Sequence, residues 1–320
     1  MQIRSDDPRL LAIALRRELI EAGYDDRAIA RALKSGHLAR PRRGAYVDAG
    51  AWRDMTADEK YAIRARAVQR QANADTVLSH VSALPFLGAP LFGHDLSEVH
   101  VTRPDARSGR RERGVRQHRG ILLDTDVTDV HGVLATTPTR AALECATVSS
   151  TEAALTVVNH FLHAGQTTLE QLSARANDDM ERWPGTLRVH VLLGLADGRI
   201  ASVGESRLSY VFYSQSLPRP IPQFEVSDGA GFLALLDFAI PELGVWFEFD
   251  GRAKYTAHLR PGETPADAVL REKAREDMVR ELTGWRCMRI TWADLGDPVR
   301  LAARIRAFID SGARPSAAAS

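Results

Sequence analysis

The spacing of apolar residues near the N-terminus predicts two short helices followed by a hairpin. Apolar side chains recur at helical spacing through residues 8–22, and a second helical pattern starts after Asp25 or Asp26 and ends at Gly36. Either aspartate can cap the second helix, because its carboxylate accepts hydrogen bonds from the first helical N–H groups. Residues 37–47 then form a hairpin pattern with arginines at its tip. This order of elements predicts a winged helix-turn-helix.

The middle of the chain mixes helical and strand-like patterns without an internal repeat. Helical spacing occurs in residues 55–74, 79–87, 138–146, 151–164, 168–176 and 184–196. Strand-like runs cover residues 97–102 and 115–123. These patterns predict an α/β middle region.

The last third of the chain predicts a mixed sheet flanked by helices. Two apolar runs, residues 232–240 and 245–250, are separated by the turn sequence Pro-Glu-Leu-Gly and predict a β-hairpin. Helical patterns cover residues 203–216 and 266–283, and a further strand follows Gly284. One apolar stripe of the second helix is expected to face the core, and its members are Leu270, Ala274, Met278 and Leu282.

These patterns together predict an α/β fold, or α+β overall, with three domains and a tail. The expected domains are a winged helix-turn-helix at residues 1–50, an α/β domain at 51–198 and a third domain at 199–313, with a disordered tail at 314–320. With 320 residues and 44% hydrophobic residues, the chain has enough apolar surface for several packed cores.

Charge and cysteine content bear on the compartment more than on the function. The net charge of +1 neither favours nor excludes nucleic acid as a partner. Cys145 and Cys287 stand far apart, as free thiols do in a reducing compartment, and neither belongs to the paired motif of a zinc finger. The charged N-terminus lacks a signal-peptide pattern, and no apolar run reaches 18 residues. We therefore expect a cytoplasmic protein without membrane contact.

Three carboxylates interrupt the apolar runs of the predicted hairpin. Glu248 and Asp250 are two residues apart and point to the same face, which Asp237 can join from the other strand. Buried carboxylates repel one another unless a cation neutralises them, and Mg²⁺ prefers oxygen ligands of this kind. Lys254 follows close behind. The pattern predicts a metal-dependent phosphodiesterase centre. The alternative is a set of acids that only lie on the surface or that pair with Arg252 and Lys254.

The spacing of these acids resembles the PD-(D/E)XK nuclease superfamily, which includes very-short-patch-repair-type endonucleases. Further matching segments are GESRLSYVF, LPRPIPQFEV, REKAREDMVRELTGW and RITWADL, between residues 204 and 295. The resemblance implies a restriction-endonuclease-like fold in which Asp237, Glu248 and Asp250 hold Mg²⁺ or Mn²⁺. Asp250 stands where the family usually has a lysine, and Lys254 is the candidate that replaces its charge at the scissile phosphate.

Two further residues are optional members of that site. In the superfamily, a glutamate early in the preceding helix often approaches the metal, which makes Glu205 a candidate ligand. An acid in the first turn can equally well satisfy the helix N-terminus, so both interpretations of Glu205 stay open. Gln223, just before a strand, is the other optional member.

A run of basic residues lies in the predicted second helix and wing. Its members are Arg27, Arg31, Lys34, Arg40, Arg42 and Arg43, with no acid between the first and the last. Such a run supplies the phosphate contacts that dominate DNA affinity, unless it is only a solvated helix face. A second arginine-rich segment, residues 103–119, is either a further phosphate clamp or a solvated loop, and it includes Arg110, Arg111 and Arg113.

The segment AGYDDRAIARALKSGHLARPRRGAYV resembles the winged-helix domain of AbiEi-type antitoxins, over about residues 8–50. In that family the domain acts as a DNA-binding autoregulator. The resemblance therefore implies DNA as a partner, with a cognate toxin and a second copy of the chain as further candidate partners.

The histidines and the motif content add no other chemistry. His160 and His163 have a spacing that can hold metal, but no acid accompanies them, so we expect ordinary structural residues. His80, His100 and His190 have no obvious partners in the sequence. Nucleotide-binding glycine motifs and the GxSxG nucleophile motif do not occur.

Two functional hypotheses follow from the sequence. The first is a DNA-binding protein with a Mg²⁺-dependent deoxyribonuclease domain. The alternative is a non-catalytic, antitoxin-like transcriptional regulator in which the nuclease fold is degenerate.

Overall fold

The structure is a computed structural model that describes residues 7–72, 76–103, 111–112, 114–179, 183, 187–229, 231, 233–251 and 264–311. The chain divides into two compact units, residues 1–194 and 195–320. The finer division into three domains stays a prediction. None of the described helices is long and apolar enough to cross a membrane.

The first unit begins with a winged helix-turn-helix. Its elements are strand β1 (Ala14–Leu15), helix α1 (Arg16–Glu21), helix α2 (Asp26–Lys34), strand β2 (Leu38–Arg42) and strand β3 (Ala45–Asp48). The strands form a sheet in the order β1-β3-β2. Asp25 caps α2 by accepting a hydrogen bond of 2.6 Å from the N–H of Ala28. The predicted second helix and the wing are confirmed.

The predicted helix over residues 8–22 is wrong in its first half. A 3₁₀ turn at Pro8–Leu10 comes first, and α1 begins only at Arg16. Between them, β1 pairs antiparallel with β3. Leu15 is buried in this pairing, so an apolar residue that fits a helical pattern is instead fixed by a distant strand.

Helix α4 contacts both the winged helix and the rest of the first unit. The helices that follow the wing are α3 (Ala49–Asp54) and α4 (Ala57–Gln71). Ile63 and Ala67 of α4 belong to the same apolar core as residues of β1 and β3. Tyr61 of α4 shares a hydrogen bond of 2.6 Å with the hydroxyl of Ser82, which lies outside the wing. The helix is therefore buried on more than one side.

The remainder of the first unit is a mixed sheet with helices, as predicted for the middle region. The strands are β4 (Val77–Leu78), β5 (Val99–Thr102), β6 (Arg111–Glu112), β7 (Val115–His118), β8 (Val127–Val130) and β9 (Val133–Thr136), in the order β6-β7-β5-β4-β9-β8. β4 is parallel to β9 and β5 is parallel to β7. The helices are α5 (Leu84–Leu87), α6 (Pro138–Val148), α7 (Thr151–His163), α8 (Leu169–Asp179) and α9 (Leu187–Leu195).

The second unit contains a four-stranded mixed sheet flanked by helices, which confirms the predicted architecture. Its elements are α10 (Val203–Ser214), β10 (Ile221–Ser227), β11 (Leu233–Ile240), β12 (Val245–Asp250), α11 (Pro265–Thr283), β13 (Arg286–Thr291) and α12 (Pro298–Asp310). The strand order is β10-β11-β12-β13, with β13 parallel to β12 and the other pairs antiparallel.

The hairpin β11–β12 forms where the sequence predicts it. A 3₁₀ turn at Pro241–Leu243 joins the strands, and Gly244 has a positive φ of 59° that favours glycine. Phe238 pairs with Phe247 across the hairpin. Both rings are buried in a core with residues of α10 and α12, including Phe212.

The predicted core face of α11 is wrong. All four residues of the predicted stripe are exposed, namely Leu270, Ala274, Met278 and Leu282. Val279 is fully buried, and the partly buried Glu272 and Arg275 precede it on the same side of the helix. The sheet presents carboxylates to the part of the helix around Glu272 and Arg275, so these charged side chains face inward there, while Val279 packs in an apolar core with Trp246.

Gly204 provides a test of the packing between α10 and β12. A Cβ atom at this position would lie 1.9 Å from a ring carbon of Phe249. We expect Gly204→Ala to lower the free energy of unfolding by about 1–3 kcal/mol through overpacking, measured by urea denaturation. Gly296→Ala is the control, because its added Cβ meets nothing within 4 Å. Equal stability of the two variants would contradict this packing.

Candidate functional site

An acidic cavity of about 180 Å³ lies in the second unit, beside β11, β12 and α11. The residues that line it are Leu235, Asp237, Glu248, Phe249, Asp250, Ala268, Arg271, Glu272, Arg275 and Arg289. The three acids that the sequence singles out therefore line one cavity, together with acidic and basic side chains from α11.

The hairpin register brings the two more buried of these three acids together. Because Phe238 pairs with Phe247 in an antiparallel ladder, the next position in the register sets Asp237 against Glu248. Asp237 is 8% exposed and Glu248 is 7% exposed. Asp250 is half-buried and lies two residues along β12, on the same face as Glu248. Such a pair needs hydrogen bonds or a cation to offset the loss of hydration.

Two contacts within the protein offset part of that loss. The carboxylate of Asp237 accepts a hydrogen bond of 2.8 Å from the N–H of Phe249. The carboxylate of Glu248 accepts one of 3.3 Å from the guanidinium of Arg275, which also contacts Glu272 at 2.8 Å. Burial acts to lower the pKa of Arg275, but its interactions with Glu272 and Glu248 outweigh burial and raise that pKa. Arg275 thus acts as a counter-ion of the acidic cavity.

A second arginine, Arg289 of β13, also lines the acidic cavity. Arg289 pairs with Glu248 in the parallel ladder of β12 and β13. Its guanidinium contacts the carboxylate of Glu276 at 2.7 Å and that of Glu272 at 3.9 Å. With Arg271, these arginines give the acidic cavity a basic rim. Such an arrangement can accept a cation at the carboxylates and an anion at the rim.

The other predicted members of the site have different positions. Glu205 accepts hydrogen bonds of 2.8 Å from the hydroxyl of Ser202 and of 3.1 Å from the N–H of Ala201. These contacts are those of a helix-capping residue, and Glu205 does not line the cavity. Gln223 stands opposite Asp237 in the register of β10 and β11, with a positive φ of 49°. Lys254 lies outside the described residues.

The basic residues of the winged helix are open to a ligand. The exposed members are Arg27, Arg31, Lys34, Arg40 and Arg43. Arg42 is half-buried. On α2 the buried side is marked by Ile29, while Arg27, Arg31 and Lys34 recur at the helical spacing that places side chains on one face. Of the second arginine-rich segment, Arg110 and Arg113 lie outside the described residues, and Arg111 is placed in β6.

Three histidines that the sequence did not connect meet in the first unit. One ring nitrogen from each of His80, His100 and His118 lies within 4.8 Å of the others. The expectation that His80 and His100 lack partners is wrong. Pairing of β5 with β7 brings two of the rings together, and no local pattern signals that pairing. Among the described residues, the carboxylates of the acidic cavity do not reach this spacing as a group of three.

Comparison with known proteins shows a similarity in the N-terminal part of the chain. Residues 12–47 match the family described as "Transcriptional regulator, AbiEi antitoxin". The winged helix is therefore similar to AbiEi-type regulator domains. The match covers β1 to β3, including the basic face of α2, and supports a DNA-binding regulator. The resemblance of the second unit to nucleases stays a prediction.

Similar proteins extend over a larger part of the chain. Two uncharacterised proteins of Mycobacterium tuberculosis, MT2308 of strain CDC 1551 / Oshkosh and Rv2248 of strain H37Rv, are each 28% identical to it over 235 residues. The alignment covers 72% of this chain and 82% of each relative. The similarity therefore reaches well beyond the AbiEi-type segment.

Replacement of Arg275 tests its role in the acidic cavity. Arg275→Gln removes the cation that contacts Glu248 and the donor to the carbonyl of Leu235, at 3.1 Å. We expect a loss of about 1–3 kcal/mol in unfolding free energy, because a buried acceptor loses its charged donor. Arg280→Gln breaks an exposed pair with Glu276 and should cost only about 0–1 kcal/mol. Urea denaturation of both variants separates these outcomes, and equal losses would argue against a specific role for Arg275.

Proposed function

We propose that this protein is an AbiEi-type DNA-binding regulator whose second unit hydrolyses DNA phosphodiester bonds with Mg²⁺ or Mn²⁺. One observation carries the catalytic half. Asp237 and Glu248 are buried side by side on adjacent strands and face one cavity that has a basic rim. The winged helix delivers the protein to duplex DNA through the exposed basic residues of α2 and the wing.

The donor set of the acidic cavity fits a small oxygen-loving cation. Mg²⁺ is commonly held by one or two carboxylates and completes its coordination with water and substrate phosphate. Asp237 and Glu248 would be the ligands, and Asp250 would add a further oxygen or orient water. When bound, the ion would polarise the phosphoryl group and lower the pKa of a bound water from about 15.7 towards neutrality.

The arginines beside the cavity would handle the charge of the substrate. A cation at Glu248 would take over the neutralising role of Arg275, so that this guanidinium could turn to the phosphate. Guanidinium groups bind phosphate oxygens through paired hydrogen bonds, and Arg271 and Arg289 lie beside the same cavity. Lys254 stays the candidate for stabilising charge on the scissile phosphate.

A second candidate function is a regulator without catalysis. The observation that favours it is the contact of Arg275 with Glu248. One of the two buried carboxylates already has a positively charged partner within the protein. In this case the second unit would serve recognition or dimerisation, and the chain would act with a cognate toxin as AbiEi-type antitoxins do.

The assignment of DNA binding to the winged helix has a direct test. We expect the double variant Arg31→Ala/Arg43→Ala to weaken binding to all duplexes. The slope of log affinity against log salt should fall by roughly one for each phosphate that the variant no longer neutralises. Gel-shift titrations at several salt concentrations measure both effects. Arg300→Ala is the control, since Arg300 is an exposed arginine of the second unit. A double variant with the affinity and slope of the wild type would place DNA binding elsewhere.

The nuclease proposal predicts that the intact chain nicks or cuts DNA when Mg²⁺ or Mn²⁺ is present. Glu248→Ala should abolish cleavage and leave gel-shift affinity largely unchanged, because binding belongs to the winged helix. Glu242→Gln is the matched control, as Glu242 is an exposed acid in the turn of the same hairpin. Cleavage is measured on double-stranded, single-stranded and mismatched substrates, with chelator as the blank.

Metal binding can be tested without cleavage. Mg²⁺ should raise the melting temperature of the wild type, because only the folded state presents the paired carboxylates. Asp237→Asn should abolish that increase. A protein that binds duplex DNA tightly, gains no stability from either metal and cleaves none of the substrates would establish the regulator without catalysis.

A further inference from the structure

Three imidazole rings are packed together inside the first unit. His80 is 5% exposed and His100 is 6% exposed, while His118 is half-buried. Nδ1 of His100 lies 2.9 Å from Nε2 of His118. The ring of His80 stacks on that of His118 with centroids 3.6 Å apart and an angle of 19° between planes. The proposed DNA-binding and nuclease functions use none of these rings.

The position of His80 is fixed by its backbone, by the carboxylate of Glu144 and by the hydroxyl of Ser79. Its φ of 52° is in the left-handed region, which is uncommon for a residue other than glycine. Its N–H donates a hydrogen bond of 2.9 Å to the carboxylate of Glu144. Nδ1 of the ring lies 3.0 Å from the hydroxyl of Ser79, which accepts a hydrogen bond of 2.9 Å from Thr102. The surroundings hold this ring in one orientation.

The pKa of each of the three rings is lowered. Burial is the main cause of their lowered pKa values, and repulsion from neighbouring rings or from Arg116 adds to it. The pKa of His100 falls to about 4 and that of His118 to about 3. The neutral form of an imidazole, which keeps one nitrogen lone pair, is the form that binds a metal ion.

The separation of the His100 and His118 nitrogens is close to that in a metal site. In tetrahedral zinc sites with Zn–N bonds of about 2.0–2.1 Å, two ligand nitrogens lie roughly 3.3 Å apart. The distance of 2.9 Å between the His100 and His118 nitrogens differs from this by only a few tenths of an ångström. Two lone pairs at this separation share either one proton or one cation.

We propose that His80, His100 and His118 bind a divalent transition-metal ion, for which Zn²⁺ is the best match. Zinc sites with three histidine ligands are well known and leave the fourth coordination position to water or to another ligand. Mg²⁺ prefers oxygen donors, so the histidine site and the acidic cavity should select different ions.

A buried network of charged side chains lies next to His80 of the histidine site. Glu144, whose carboxylate lies 3.7 Å from Nδ1 of His80, also accepts a hydrogen bond of 2.9 Å from Arg140. Arg140 contacts Asp126 at 2.8 Å, and Arg175 contacts the same carboxylate at 2.7 Å. Carboxylates that fix the orientation of ligating histidines are the usual outer partners of zinc sites.

Isothermal titration of the chelator-treated full chain with Zn²⁺ tests this site. We expect one ion per chain, with an affinity that His118→Gln weakens by more than about 100-fold, since loss of an outer partner alone costs about 10–100-fold. The control is His163→Gln, which alters an exposed histidine of α7 and should leave binding intact. Asp237→Asn should also leave Zn²⁺ binding intact, which separates this site from the acidic cavity. Absence of Zn²⁺ binding, or unchanged binding by His118→Gln, would overturn the proposal.

A measurement on the wild type covers the case in which His118→Gln does not fold. The chain has ten histidines, and ¹⁵N labelling of histidine makes each imidazole visible by NMR. One equivalent of Zn²⁺ should shift the nitrogen signals of three rings together and leave the others in place. Shifts in fewer than three rings would show that the three histidines form only a neutral packed cluster.

Discussion

The register of the β11–β12 hairpin is the constraint on which the second unit depends. Phe238 and Phe247 pair on one face, and Asp237 and Glu248 follow on the other. A slip of one residue would turn the side chains of a strand to the opposite face. Burial of each aromatic ring stabilises the fold by about 1.5–3 kcal/mol, so the slip would lose this contribution and also bury a carboxylate in an apolar core. The turn at Gly244 and the apolar face therefore place the acids together.

Features that a short stretch of sequence determines by itself could be predicted. Features that depend on pairing with a distant segment of the chain could not. The hairpin and the capped helix α2 each carry their own turn or cap. The two-residue strand β1 forms only because β3 lies beside it, and its apolar residues fit a helical pattern equally well. The prediction that the apolar stripe of α11 faces the core was wrong for another reason. Which face of a helix turns inward depends on the surface opposite, and here that surface holds Asp237 and Glu248.

The same distinction holds for the candidate sites. The spacing of Glu248 and Asp250 follows from strand geometry, so the sequence could predict which acids share a face. The cation that contacts Glu248 could not be predicted, because Arg275 lies on a helix whose orientation was not known. The histidine site depends on the neighbouring order of β7, β5 and β4. Nothing in the residues around His80, His100 or His118 specifies that order.

The two candidate sites also differ in the way the fold compensates for buried polar groups. In the acidic cavity, Arg275 supplies a counter-charge to the carboxylates. At the histidine site, burial lowers the pKa of the rings instead, and their nitrogen lone pairs are the available chemistry. Carboxylates suit a hard cation such as Mg²⁺, which would have to replace Arg275 as the partner of Glu248. Neutral imidazoles suit a borderline ion such as Zn²⁺, which would replace no cation of the protein.

Hydrogen bonds also connect the histidine site to α4, the helix that packs against the winged helix. The N–H of His100 donates a hydrogen bond of 2.8 Å to the hydroxyl of Ser82, which shares one of 2.6 Å with Tyr61 of α4. Other residues of α4, Ile63 and Ala67, lie in the apolar core of the winged helix. Because α4 is buried on both sides, it cannot shift towards one neighbour without disturbing its contacts with the other. His100 is therefore connected to the apolar core of the winged helix through Ser82 and α4.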